Sequence, residues 1–407
     1  MRSWDLDTSL IRSNQFAKNS LTIFDSKTNQ PNAIKRSNRK VQIYVCGITP
    51  YDSAHLGHAF TDLTFDLMIR AMNFIGIDTH YVQNVTDIDD PLFERARSTS
   101  TKWQEIVDSQ IEIYRQDMQV LNILPPNDFV SVQENIDAIR EKIRETIQKD
   151  LTYQLGSEIY FKTSQRNESK LVDGFSSESL IAQANERGCD TDREGKVNPI
   201  DPILWKASKI DEPSWIESFG PGRPGWHIQC VSIVDKFADL PLDIQGGGKD
   251  LLFPHHAMCD EQSRALGLGD LAHNYCHVGM VSYQGSKMSK SKGNLVFVHK
   301  LISEGVEPMV VRLALMTNHW QEDWEWDKSL LDEAKKLLLT LNKKFYDKFV
   351  TDEDLKQIVK MCLDNLSIPH VLNFLINHDF QDDPSRKTSM REVLDSLLGI
   401  ILEGGTN

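Results

Sequence analysis

The sequence predicts an α/β protein in which a parallel sheet is split by an inserted segment and followed by a helical C-terminal region. Three observations carry this prediction. Val41, Ile43 and Val45 alternate with Gln42 and Tyr44 in a β-branched run, broken by Gly47, Pro50 and Asp52, which is the pattern of a strand feeding a loop. Phe60, Leu63, Leu67 and Met72 then recur at helical steps, predicting a helix over about 59–75 that ends at Gly76, and 77–90 reads as a second buried strand. A strand, helix and strand of this length close as a right-handed parallel crossover. Third, the pattern turns purely helical past about residue 300, as in 330–349, 356–366 and 389–402.

The remaining elements follow in order. Residues 1–40 are polar and read as an irregular lead-in, and 41–91 form the first half of the sheet domain. From 92 to 205 helices at 101–121 and 135–151 and a short strand near 157–162 read as an inserted connective segment, with 185–202 an exposed polar loop. Parallel-sheet character returns in 206–300 with PLDIQGGGKDLLFPHH, and 301–407 is the helical C-terminal region.

Composition narrows the function. A chain of 407 residues supports two or three domains with buried cores. No apolar run has the length of a membrane span, and MRSWDLDTSL has neither a basic nor an apolar leader region, so a cytoplasmic protein without a membrane partner is expected. Six scattered cysteines suit free thiols or metal ligands better than a disulfide scaffold. A net charge of −14 repels polyanions, which weighs against nucleic-acid binding.

The chemistry gathers around VQIYVCGITPYDSAHLGH at 41–58. A strand ending at Cys46, a tight loop and a helix N-terminus form an anion site, and Gly57 permits close approach. Taken alone, Cys46 reads first as a small buried hydrophobe. The C-terminal edge of the sheet should bring it beside Asn84-Val85-Thr86-Asp87. At 281–296, Lys287, Lys290 and Lys292 interleave with serines before Gly293, which suits either a polyphosphate or a solvated loop. Cys46, Cys230 in GWHIQC and His255 in FPHH are candidate zinc ligands; two thiolates and one imidazole leave one position for an exchangeable ligand. His256 and Cys259 compete for the same role, and spacing does not decide among them.

HLGH at 55–58 and KMSKS at 287–291 resemble the two signatures of class I aminoacyl-tRNA synthetases. YVCGITPYD, NVTDIDD, GWHIQC, GGGKDLLFPHH and KMSKSKGN are similar to the cysteinyl branch over most of 40–320. Within it, TPYD with HLGHA, DPLFERA at 90–96, the ERGxD segment at 186–190 and DIQGGG at 243–248 resemble the mycothiol-pathway ligases that join cysteine to glucosaminyl-inositol. The chain also ends soon after KMSKS, whereas tRNA-charging relatives usually continue into anticodon-reading domains. From 341 to 407 it has 8 Lys/Arg against 11 Asp/Glu, an acidic tail ill suited to tRNA.

The resemblance implies a class I synthetase Rossmann-like sheet with an inserted α/β connective domain and a C-terminal helical domain. It implies ATP-dependent activation of L-cysteine as cysteinyl-AMP and transfer to the amine of glucosaminyl-inositol, with Mg²⁺ accompanying ATP. One zinc ion would be held by Cys46, Cys230 and His255, with the substrate sulfur completing the set. His55 and His58 would hold the ATP phosphates, and Lys287 and Lys290 would stabilise the leaving pyrophosphate. Contacts to the adenylate fall on Cys46, Gly47, Ile48, Thr49, Gly57, Thr61, Asn84, Val85, Thr86, Trp226, Gly248, Lys249, Asp250 and Val281. A monomer is expected, and tRNA is not expected as a partner. The competing readings are a cysteinyl-tRNA synthetase with a reduced C-terminal region and a non-catalytic synthetase-like binding protein. Two departures stand out. Cys189 and Thr191 interrupt the ERGGDP pattern of the ligases, and Cys259 occupies a position where cysteinyl-tRNA synthetases often carry a glutamate ligand; packing beside the metal is expected of it, since a closed Cys₃His site would be structural.

Overall fold

The computed structural model describes residues 1–6, 10–35, 39–163, 169–288, 293–385 and 388–403. Its centre is a five-stranded sheet of β1 (Val41–Val45), β2 (Thr79–Val85), β3 (Asp128–Ser131), β4 (Leu242–Gly248) and β5 (Ala272–Val278). The strands lie in the order β5-β4-β1-β2-β3, and every neighbouring pair is parallel. All five residues of β1 are buried, as a central strand covered on both faces requires.

Three boundaries move from their expected places. The strand β3 sits inside the segment assigned to the insertion, because four residues between two helices are too short for periodicity to register. What is inserted is a five-stranded antiparallel-paired sheet running from Thr152–Leu155 to Gly220–Pro224, so its end falls near 224 instead of 205. Glycine and proline hide the last of these strands, GPGRP, from a propensity reading. A Cβ on its Gly222 would lie 2.4 Å from the Lys206 carbonyl oxygen, so close backbone contact selects glycine there. The lead-in is also not irregular throughout: Thr22–Asp25 and Gln30–Ala33 pair as a hairpin, and the Asp25 carboxylate accepts from the Tyr275 N–H of β5 at 2.7 Å.

The helix Leu56–Phe74 starts three residues before the expected 59. His55 caps it, with Nδ1 accepting the Gly57 N–H at 3.0 Å. Histidine is not among the preferred capping residues, so the start had no ordinary signal. The C-terminal helices Ser329–Phe345, Asp352–Leu363, Ile368–Asn377 and Met390–Leu398 match the helical reading of this region.

A buried ionic cluster ties these layers together. Asp66 accepts from Arg70 Nε at 2.9 Å and from the Leu124 N–H at 2.9 Å, and also from Arg312. Arg312 donates to the carbonyls of Leu121, Asn122 and Leu398, and Arg70 donates to those of Asn122 and Asp395. A Cβ on Gly399 would lie 2.3 Å from the Arg312 guanidinium, and its φ of +60° adds a second reason for glycine. Among the described residues, no helix is long and apolar enough to cross a membrane.

Candidate active site

Strands β1 and β4 are neighbours at the point where the strand order reverses, and a ligand crevice opens at their C-terminal ends. A cavity of about 770 Å³ occupies it, lined by Cys46, Gly47, Ile48, Thr49, His55, Gly57, His58, Thr61, Trp226, Gly248, Asp250, Val281 and Lys287 among others. Thirteen of the residues expected at the site thus share one wall. Asn84, Val85 and Thr86 do not line it. They are buried behind the loop after β1, where Asn84 Oδ1 accepts from the Gly47 N–H at 3.0 Å and from the Tyr44 hydroxyl at 2.8 Å. The Thr86 N–H donates to the Ile48 carbonyl at 2.9 Å. They position Gly47 and Ile48, and Gly47 is glycine because a Cβ would lie 1.7 Å from the Asn84 carbonyl oxygen. Lys249 also turns away, its ammonium bonding Asp323 at 2.8 Å. Lys290 lies outside the described residues.

At the base of the cavity, one ligand atom each from Cys46, Cys230 and His255 falls within 4.8 Å of the others. Three elements deliver them: the end of β1, the helix Trp226–Phe237, and the kink at Phe253 (φ −136°, ψ 137°) before the helix Ala257–Ala265. Trp226 and Cys230 are four residues apart on one helical face, so Trp226 stacks on the His255 ring at 4.0 Å while Cys230 Sγ lies 3.2 Å from His255 Nε2. His255 Nδ1 faces His227 Nδ1 at 2.9 Å, which leaves Nε2 pointing at the thiols. His256 takes the other side, with Nε2 3.3 Å from Cys46 Sγ and Nδ1 2.8 Å from His277. Cys259 Sγ lies 4.0 Å from His255 Nε2 and donates to the His227 carbonyl, and with His227 and His255 it forms a second group whose ligand atoms fall within 4.8 Å of one another.

This donor set fits zinc. Ligand atoms of one tetrahedral zinc ion stand about 3.5–3.8 Å apart; here Cys230 Sγ and His255 Nε2 are 3.2 Å apart and all three ligand atoms lie within 4.8 Å. Hydrogen bonds from Cys259 and Cys46, with His255 nearby, hold the Cys230 thiol well below its ordinary range, while burial pushes the Cys46 and Cys259 thiols up. A bound divalent ion would favour the thiolate form of the cysteines it touches. Burial also pushes His227 down to about 3, so it stays a neutral partner to His255.

The opposite end of the crevice is cationic and donor-rich. The His55 and His58 rings lie 4.0 Å apart at the N-terminus of the helix Leu56–Phe74, and His58 Nδ1 is buried without a hydrogen-bond partner among the described residues. A Cβ on Gly57 would lie 2.8 Å from the His55 ring, so this glycine admits the capping imidazole as well as any ligand. Lys287 Nζ rests on Asp250 at 2.9 Å, and Arg187 reaches the same carboxylate at 3.3 Å. Helix N–H groups, a lysine and an unpartnered ring nitrogen form a phosphate-sized anion site.

Residues 33–336 match the family described as tRNA synthetases class I (C) catalytic domain. The chain belongs to this family. It is 42% identical over 387 residues to the L-cysteine:1D-myo-inositol 2-amino-2-deoxy-alpha-D-glucopyranoside ligase of Thermobispora bispora, covering 94% of this chain and 96% of the relative. The ligase of the same name from Acidothermus cellulolyticus is 41% identical, covering 90% and 92%. That from Streptosporangium roseum is 46% identical over 72% of each. Mycobacterium tuberculosis methionyl-tRNA synthetase in complex with methionyl-adenylate superposes with a TM-score of 0.61 at 14% identity, over 82% of this chain and 81% of that one, which shows a shared class I synthetase fold.

Within the cavity, sequence reasoning quoted Arg187 and Gly188 only as part of ERGxD and gave them no place at the site. The polar stretch 185–202 reads as an exposed loop, yet these two residues line the cavity beside Asp250. Asp89, Lys206 and Lys209 also line it without having been singled out. No local periodicity marks them, because their place depends on packing between elements distant in sequence.

His58 supplies a pH prediction. Burial pushes it down to about 4, Asp250 opposing and Lys287 assisting. The unfolded chain takes up this proton near 6.5, so His58 contributes stability that is full above that pH and is lost as the pH falls toward about 4. Denaturation midpoints measured on either side of this window should fall in acid, and His58→Gln should flatten that part of the slope.

Proposed function

We propose that the protein is an ATP-dependent, cysteine-specific ligase that forms cysteinyl-AMP and transfers the cysteinyl group to the amine of glucosaminyl-inositol, releasing AMP and pyrophosphate. One observation carries the reading. Cys46, which sits in a cluster with Cys230 and His255, and His55, His58 and Lys287 line a single cavity of a chain whose relatives are named as this ligase.

The chemistry follows from the two ends of the cavity. Cys46, Cys230 and His255 would hold zinc, which when bound supplies a soft Lewis acid for the thiolate of cysteine and so rejects the serine hydroxyl. Trp226 stacks on the His255 ring and fixes its plane, and His227 fixes its free nitrogen. The cysteine carboxylate would thereby be aimed at the α-phosphate of ATP, whose phosphates, accompanied by Mg²⁺, His55, His58 and the helix N-terminus would hold. Lys287 exchanges its Asp250 contact for charge developing on pyrophosphate, while Asp250, still paired with Arg187, is freed for a ribose hydroxyl or the substrate ammonium. Both ends belong to one chain, which supports a working monomer, and the free thiols and absence of a membrane-length helix among the described residues support a cytoplasmic setting.

The deciding experiment offers the protein ATP and cysteine with either glucosaminyl-inositol or purified tRNA, and looks for a cysteinyl amide or charged tRNA by mass spectrometry. The amide is expected. Efficient tRNA charging with no amide would overturn the assignment.

A further inference from the structure

The acceptor amine carries a proton at neutral pH and has no nucleophilic lone pair until that proton is removed. Five carboxylates line the cavity; Glu94 is exposed to solvent, and three of the others are engaged. Asp62 accepts from Gln83 and Tyr114, Asp90 from Lys206 and Arg223, and Asp250 from Lys287 and Arg187. Asp89 differs: one oxygen caps the helix Asp90–Thr99 through the Asp90 N–H at 2.9 Å, and the other has no hydrogen-bond partner among the described residues. Its position is also right. The segment 86–89 is clamped between the loop after β1, through the Thr86 N–H to the Ile48 carbonyl, and the helix bearing Trp226 and Cys230, through Gln229 Nε2 to the Ile88 carbonyl at 3.1 Å. That is the aminoacyl side of the cavity, away from His58 and Lys287. A cavity of 770 Å³ lies in the upper part of the roughly 300–1,000 Å³ range of ligand sites, enough to seat an acceptor beside the adenylate.

We propose that Asp89 is the catalytic base that takes the proton from the acceptor ammonium in the transfer step. The inference rests on the ligase reading above. The Asp89 carboxylate receives one proton from the ammonium, and the freed lone pair forms the C–N bond to the acyl carbon. The bond from that carbon to the phosphate oxygen breaks, its electron pair leaves with AMP, and the second nitrogen proton passes to the departing phosphate. Burial, the fixed charge of Asp90 and the opposing Arg223 and Lys206 leave the Asp89 carboxyl raised to about 6, with the neutral Tyr51 phenol also nearby. Asp89 is thus ionised at neutral pH and basic enough to accept a proton.

Asp89→Asn keeps the helix cap and removes the base. The variant should exchange pyrophosphate into ATP at the wild-type rate, while single-turnover transfer from preformed cysteinyl-AMP to glucosaminyl-inositol falls about 100-fold, the lower end for general-base catalysis. Wild-type transfer should level off above about pH 6, whereas the variant's rate should keep rising toward the pKa of the amine. Hydroxylamine, already unprotonated at neutral pH, should be acylated equally fast by both proteins. Unchanged transfer to glucosaminyl-inositol with an unchanged pH profile would overturn the proposal, as would an equal loss with hydroxylamine. Should the wild type give no amide with glucosaminyl-inositol, the ligase reading fails separately, and the same comparison with methylamine, which must also lose a proton, decides the role of Asp89.

Discussion

Replacing Cys46 with alanine is expected to leave a folded protein that retains no stoichiometric zinc and has lost cysteine-dependent exchange of pyrophosphate into ATP. Cys46 is the one of the three candidate ligands that also lines the cavity, so it touches both the metal position and the place where the substrate sulfur would arrive. A Lewis-acid contact is worth several kcal/mol, so the exchange rate should fall by on the order of a thousandfold. Metal analysis on the purified variant and isotope exchange measure the two effects independently. Cys259→Ala provides the contrast. Its thiol stands farther from His255 and donates to the His227 carbonyl, so that variant should keep its zinc. Stoichiometric zinc in Cys46→Ala would place the metal elsewhere.

Arg312→Met is expected to be the most destabilising of the substitutions considered, costing about 3–5 kcal/mol, the range for removing one partner of a buried ion pair. Arg312 is fully buried, and its loss strands the carbonyls of Leu121 and Leu398 and leaves the Asn122 carbonyl and the Asp66 carboxylate to Arg70. Methionine preserves much of the volume, so the lost charge and hydrogen bonds dominate. Urea unfolding should show the shift, while exchange activity at low temperature should persist because the cluster does not line the cavity. A loss below about 1 kcal/mol would mean that Arg70 alone satisfies Asp66.

Much of the site was legible in the chain because its chemistry is local. Cys46 ends a β-branched run, His55 and His58 start a periodic helix, and Trp226 and Cys230 share a helical spacing; each follows from two to five neighbouring residues. The sheet character of β1 and β2 was equally local. Resemblance, not spacing, grouped Cys46, Cys230 and His255, since some 200 residues separate the first from the others.

Tertiary structure decided what depends on long-range packing. Only the fold separates His255, whose Nε2 meets Cys230, from His256, whose Nε2 meets Cys46, although the two are adjacent and chemically identical. Only the fold withdraws Asn84, Val85 and Thr86 from the cavity to brace the loop after β1, and swings Arg187 in from a stretch that reads as solvent-exposed. The physical reason is one of range. Periodicity and turn chemistry report a residue's own strand or helix, whereas a side chain's partner is chosen by which elements the sheet order brings together, and that is a property of the whole chain.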